Sequence, residues 1–343
     1  MERRTFLKTS AMAGAGLMAS QLSYSGVNQN PVPAGKRVGI IGLDTSHAPA
    51  LTRSLNAENP SPDFAGYRVL FAYPYGSKDI ESSVSRRPRF TAEVQAMGVQ
   101  LVETIPELLE RVDVVLLLTN DGRPHLEQVI PVLKAGKRVF IDKPLAGTLT
   151  DAFAIFQAAK DFNQPVYSTS GVRYLSQMDE VVKEQKIGKL HGVDTFSSCL
   201  LEPTHPDLFW YGIHGVEAIY AAFGTGCKTL SRVHTPNHDI VTGIWNDDRV
   251  AVFRGLRAGR TGFGGFAFGE TGYQSLGEFP GYEPMLREIV KYWQTGVSPV
   301  PPEETLEVFT FMEAADESKR RNGASVSLDE VAQMAREKVV KIW

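Results

Sequence analysis

The chain has 343 residues, more than one hydrophobic core usually supports, so two domains are expected. Its 36 lysines and arginines against 39 aspartates and glutamates leave a net charge of −3, so no basic excess points to nucleic acid and no charge block points to a membrane surface. Cys199 and Cys227 lack metal-ligand spacing and read as buried small hydrophobes, with a disulfide as the alternative; no metal site is expected.

The chain opens with Arg3-Arg4-Thr5-Phe6-Leu7-Lys8, followed by a weakly apolar run over residues 11–22. A basic start before a short apolar run is a targeting signal rather than a fold element, and paired arginines before Phe-Leu-Lys resemble the bacterial twin-arginine signal. The run is too short for a stable membrane span, and no later segment supplies one. Residues 1–34 therefore read as signal and linker, and the protein is expected to be exported, to the periplasm or beyond.

Residues 36–42 (KRVGIIG) are a β-branched run ending in glycine, as in a buried parallel strand. Residues 48–55 read as a helix, 67–73 as a strand, 97–102 as a short extended piece and 105–110 as a helix. Residues 112–119 (VDVVLLLT) form the most apolar strand candidate. A helix over 124–135, stopped by Gly136, leads to a strand over 138–142 and a helix over 150–162. Strands alternating with helices predict a doubly wound parallel sheet in an α/β domain, residues 35–148.

After Pro165 the pattern changes. Residues 166–170, 192–200, 228–234, 240–246, 249–255 and 262–269 read as strands with short connections, which predicts an open, largely antiparallel sheet. Helices are expected at 285–294, 302–321 and 328–341. Residues 149–343 thus read as a second, α+β domain for substrate and self-association, its last helix a candidate to pack back on the first.

Residues 124–146 (PHLEQVIPVLKAGKRVFIDKPLA) join a helix, a strand and Asp142-Lys143-Pro144. This stretch resembles the glucose–fructose oxidoreductase, inositol dehydrogenase and rhizopine-catabolism (Gfo/Idh/MocA) family, in which the strand ends in Glu-Lys-Pro. The resemblance runs from about residue 36 to the end. It implies a Rossmann-type domain, a nicotinamide cofactor (NAD or NADP), a sugar or polyol substrate and a homo-oligomer. It places Lys143 where nicotinamide meets substrate, with Asp142 and Pro144 beside it. Chemistry agrees, because the carboxyl end of a parallel strand faces the ligand crevice, and a cation there stabilises a developing alkoxide. Residues 210–217 (WYGIHGVE) resemble the family's substrate-site helix. His214 matches its acid/base histidine, and Trp210 stands where an acid is expected four residues earlier; helical spacing would set Trp210 beside His214. His205 and Asp207 are candidate replacements for the missing acid, Asp207 being equally a helix cap. Arg173 and Tyr174 correspond to a substrate-contact stretch, with a structural ion pair as the alternative for Arg173.

The nucleotide fingerprint is altered. Where Gly-x-Gly-x-x-Gly is expected, the chain has Gly42-Leu43-Asp44-Thr45-Ser46-His47. Asp44 sets a negative charge where the backbone should approach a diphosphate. Thr45 and Ser46 hydroxyls can join the helix N-terminus in holding an anion, and a protonated His47 would offset Asp44. Thr119, Asn120 and His125 are expected near the nicotinamide ribose, Asn120 as the main contact. Three readings follow: an oxidoreductase with a tightly held, internally recycled cofactor; a glycoside-cleaving enzyme using transient oxidation; and a sugar-binding relative without turnover.

Overall fold

The computed structural model describes residues 34–343; the stretch expected to be a twin-arginine signal lies outside them. The first sheet has six parallel strands: β1 (Arg37–Ile41), β2 (Arg68–Tyr73), β3 (Gln100–Leu101), β4 (Val114–Leu117), β5 (Arg138–Asp142) and β6 (Val166–Thr169). Their order is β3-β2-β1-β4-β5-β6. The connecting helices are α1 (His47–Leu55), α2 (Glu81–Ala96), α3 (Ile105–Arg111), α4 (His125–Lys134) and α5 (Leu149–Asp161). Every residue of β4 is buried, and its two faces feed different cores. Val115 and Leu117 join one cluster, Val114 and Leu116 the other, as period-two alternation requires of a strand covered on both sides. The chain crosses from one side of β1 to the other on reaching β4, so the carboxyl ends of β1 and β4 flank the switch point where ligands bind in such sheets.

The second region contains α6 (Met178–Val182), β7 (Leu190–Ser198), α7 (Asp207–Trp210), α8 (Ile213–Phe223), β8 (Cys227–His234), β9 (His238–Trp245), β10 (Val250–Leu256), β11 (Phe263–Gly269), β12 (Gly272–Ser275), α9 (Glu283–Thr295), α10 (Pro302–Arg320), β13 (Val326–Ser327) and α11 (Leu328–Arg336). Its strands form a seven-stranded sheet, β12-β11-β7-β10-β9-β8-β13, antiparallel except for β7 beside β10. Helices α8 and α10 pack on one face. The other leaves Val250, Phe266 and Phe268 exposed. Helix α9 sends Met285, Leu286, Ile289 and Val290 into the core beside Val38, Ile40 and Leu116 of the first sheet. Cys199 and Cys227 are free and buried, as small hydrophobes.

Three expectations need correction. Residues 166–169 are the sixth strand of the parallel sheet, paired to β5, and do not open the antiparallel one. The chain turns at Pro165, but sheet membership is decided by the pairing partner. Helix α2 was not expected: its run of serines and arginines with Pro88 inside carries only Ser83, Phe90 and Val94 as buried residues. The last helix ends at Arg336 rather than at 341, and it packs on α5 and α10.

Candidate active site

Lys143 follows β5 directly and is joined to Pro144 by a cis peptide. It is only 6 % exposed, yet its ammonium enters no ion pair or hydrogen bond among the described residues. Its nearest organised neighbour is the Tyr211 ring, whose centre lies 5.4 Å away, a cation–π contact. Lys143 lines a cavity of about 240 Å³ with Thr45, Ser46, His47, Arg86, Asn120 and His214, while Tyr211, Phe263, Phe279 and Tyr282 supply aromatic walls. A larger groove of about 800 Å³, between Phe153 and Pro301, gathers no such cluster of buried titratable groups.

His214 sits in the first turn of α8. Its Nδ1 is 2.7 Å from the Ser170 hydroxyl, just past β6, and its ring meets Phe263 and Tyr211 edge-on at 5.1 and 5.6 Å. Burial pushes its pKa well below the ordinary 6.5, and the neighbouring Lys143 and His47 add to the shift. His214 is therefore neutral at neutral pH, the form able to accept a proton.

His47 opens α1, and its Nδ1 lies 2.6 Å from Asp142 Oδ2. Burial alone would raise the Asp142 pKa, but His47 and then Lys143 outweigh it and hold the carboxyl below its ordinary range. Tyr282 closes on the His47 ring, centres 4.5 Å apart. His47 thus pairs with Asp142 across the ends of two strands, and not with Asp44 as the sequence suggested.

Asp44 is turned inward and fully buried. Its Oδ1 accepts the Asn120 N–H at 3.0 Å, and burial raises its pKa although that N–H opposes the rise. Gly42 has φ +93°, and a side chain there would overlap the Thr119 backbone, which accounts for glycine at this position. Residues 74–80 lie over this turn. Leu43 N–H donates to Tyr75 O at 2.9 Å, and a side chain on Gly76 would come within 3.0 Å of Asp44 Cβ. Ser77 Oγ donates to Asp121 Oδ2 at 2.5 Å, and Arg123 joins Asp121 to Asp79. Burial opposes ionisation of Asp121, but His205, Arg123 and Ser77 outweigh it and hold its pKa far below the ordinary range.

Of the residues expected at the site, Thr45, Ser46, His47, Asn120, Lys143 and His214 share the cavity. Gly42, Asp44, Thr119, Asp142 and Pro144 are buried behind its wall. His125 is also buried, each ring nitrogen facing a carbonyl, Leu145 O at 3.1 Å and Thr119 O at 2.8 Å, so it ties the loop together. The five expected substrate contacts are engaged elsewhere. Arg173 pairs with Glu217 and Glu304, and Tyr174 bonds the Tyr167 hydroxyl. Asp207 pairs with Arg232 and Lys319. His205 Nε2 sits 3.2 Å from Asp121 Oδ1 and its ring lies tilted against Trp210, 4.9 Å between centres. Trp210 and His214 do not share a helix face because the helix breaks at Tyr211-Gly212, between α7 and α8. Arg86, Tyr211, Phe263, Phe279 and Tyr282 were missed; only Tyr211, next to the recognised motif, carried any sequence signal.

The residues fit the dinucleotide implied by the resemblance at one end. Around Lys143, Asn120 and His214 the polarity suits a nicotinamide and the group it reacts with, although the cavity as it stands holds one small ring. At the diphosphate end, Leu43 and Asp44 are fully buried, so a dinucleotide reaches that turn only when residues 74–80 withdraw.

Residues 36–170 match the oxidoreductase family GFO_IDH_MocA, described as having an NAD-binding Rossmann fold. No curated protein matches. Among solved structures, a probable dehydrogenase from Thermotoga maritima superposes with a TM-score of 0.68 at 19% identity, covering 86% of this chain and 99% of its own. Scyllo-inositol dehydrogenase from Lactobacillus casei, with bound NAD(H) and scyllo-inositol, gives 0.67 at 14%, covering 85% and 99%. An oxidoreductase from Agrobacterium radiobacter in complex with NAD+, L-tartaric acid and magnesium gives 0.66 at 13%, covering 86% and 99%. At these identities the likeness establishes the two-sheet fold. Residues 36–170 therefore form a Rossmann domain that matches the model of the Gfo/Idh/MocA oxidoreductase family.

Proposed function

We propose that the protein is an NAD(P)-dependent oxidoreductase of Gfo/Idh/MocA type acting on a sugar or polyol. The observation that carries this reading is the buried, unpaired Lys143 ammonium in one cavity with the neutral His214 imidazole. When bound, a nicotinamide supplies the hydride acceptor or donor. The chain's own residues handle everything else. Lys143 donates to the oxygen on the reacting carbon and stabilises it as it becomes an alkoxide. His214, held by Ser170, takes the hydroxyl proton or returns it in the reverse direction. Phe263, Phe279, Tyr211 and Tyr282 exclude water and offer faces to the apolar side of a sugar ring. The scyllo-inositol and L-tartaric acid bound by the two relatives are polyhydroxylated molecules of suitable size. Incubation with NAD+ or NADP+ and a panel of sugars, polyols and sugar acids tests the reading, and growth of reduced-nicotinamide absorbance is expected for one class.

A second reading, a sugar-binding relative without turnover, is favoured by the covered first turn. Saturable sugar binding with no hydride transfer under any pairing would establish it in place of the first.

Export by the twin-arginine route, with a retained and internally recycled cofactor, is part of the proposal and is checked by cell fractionation. Self-association through the exposed sheet face is proposed from Phe266 and Phe268, 45% and 40% exposed. Light scattering should give a mass above that of one chain, and Phe266→Glu should reduce it.

A further inference from the structure

The charges around the cavity have one sign. Lys143 and Arg86 are its formally charged lining residues, and both are cations. Neither enters an ion pair among the described residues. Neither nearby carboxylate lines the cavity: Asp142 is bonded through Oδ2 to His47, and Asp44 is buried against Asn120 under residues 74–80. Thr45, Ser46 and His47 bring the first turn of the nine-residue α1 to the same space, and the positive end of a helix favours an anion. Lys143 is the independent sign of a ligand: its side chain is nine-tenths buried, faces the cavity and makes no ion pair or hydrogen bond among the described residues, Asp142 acting on it only through longer-range attraction, so a ligand anion would complete its pairing.

Size restricts the ligand. About 240 Å³ is below the roughly 300–1,000 Å³ of a drug-sized site and far from what a dinucleotide needs, but it suits a single small ring or a short polyhydroxylated chain. The four aromatic walls suit such a ring, and Asn120 and His214 suit its hydroxyls.

We infer that the substrate is an anionic sugar, a uronic or aldonic acid whose carboxylate lies between Arg86 and the Lys143 ammonium at the start of α1, while the remaining Lys143 donors and His214 address the neighbouring hydroxyl-bearing carbon. This rests on the cavity being the substrate site and leaves open whether hydride transfer occurs. Arg86 is exposed on α2, so its replacement should leave the fold intact.

The test is calorimetric titration of the full chain with D-glucuronate and D-gluconate against D-glucose and myo-inositol, in the wild type and in Arg86→Gln, with and without NAD+. At least one acid should bind roughly tenfold or more tightly than the neutral compounds, and Arg86→Gln should remove most of that preference by weakening the acid far more than the neutral compounds. Neutral compounds binding as well as the acids, none of the four binding, or Arg86→Gln weakening all alike would each overturn the inference. Competition between NAD+ and the bound acid would assign the two cations to the dinucleotide's diphosphate and also overturn it; simultaneous binding supports it. Binding is read separately from hydride transfer, so an acid that binds without being oxidised tells against the oxidoreductase reading and not against this one.

Discussion

The ends of β1 and β5 lie on the same edge of one sheet and have opposite characters. After β5, Lys143 is buried, unpaired and open to a cavity. After β1, Asp44 is buried, bonded to Asn120 and covered by residues 74–80. A charge left without a partner inside a protein is costly to maintain, whereas one satisfied by the protein's own backbone is ordinary structure. The contrast teaches that the end of β5 in this Rossmann domain opens on a cavity with an unpaired cation, while the end of β1 is a closed turn satisfied by the protein itself.

Lys143→Met should break the contrast most severely. It keeps length and packing but removes the cation, and kcat/KM for hydride transfer should fall about 100- to 1,000-fold with little change in melting temperature. A variant retaining most of its turnover would remove Lys143 from the chemistry. His214→Asn should cost roughly 100-fold in kcat. His214 also gives a pH signature. Its folded pKa is depressed, so the unfolded chain binds the proton first as pH falls. Stability should be level above the ordinary 6.5 and decline below it by up to about 1.4 kcal/mol per pH unit, a slope that His214→Asn flattens. For the same reason, the rate profile should show no histidine limb near 6.5 from this residue.

At the other end, Asp44→Asn keeps an oxygen for the Asn120 N–H and removes the charge. NAD+ or NADP+ affinity should rise by roughly tenfold if a diphosphate approaches this turn, which titration reads directly. Ser77→Ala frees residues 74–80 from Asp121. It should lower stability by about 1 kcal/mol, measured by denaturant unfolding, and should not weaken dinucleotide binding. Loss of binding would mean that these residues hold the nucleotide rather than cover its position.

Much of the first region was legible in sequence because its signals are local. The strand of residues 138–142 and the Asp-Lys-Pro that follows are fixed by a short apolar run and its stop. The glycine at 42 and the polar residues after it marked the altered turn, although not the direction in which Asp44 points, since Asn120 and residues 74–80 decide that. Helix α2 was hidden by Ser82, Ser83, Ser85 and Pro88, which do not announce a buried face. Trp210 and His214 were placed together by helical spacing, and the break at Tyr211-Gly212 defeats that arithmetic. Arg173 and Asp207 carry the right chemistry for a substrate site, but Glu217, Glu304, Arg232 and Lys319 consume them from distant parts of the chain. Arg86 from α2, Phe263 from β11, and Phe279 and Tyr282 from the segment before α9 reach the cavity together, a convergence that only the tertiary structure reveals.

The most direct test of the central claim is calorimetric titration of NAD+ and NADP+ into the wild-type protein, after mass spectrometry has shown whether either is already carried. The account predicts that one of the two is retained from purification or binds saturably, with residues 74–80 yielding to admit it. If neither is carried and neither binds, hydride chemistry is excluded, and Lys143 and His214 belong to a sugar-binding cavity alone.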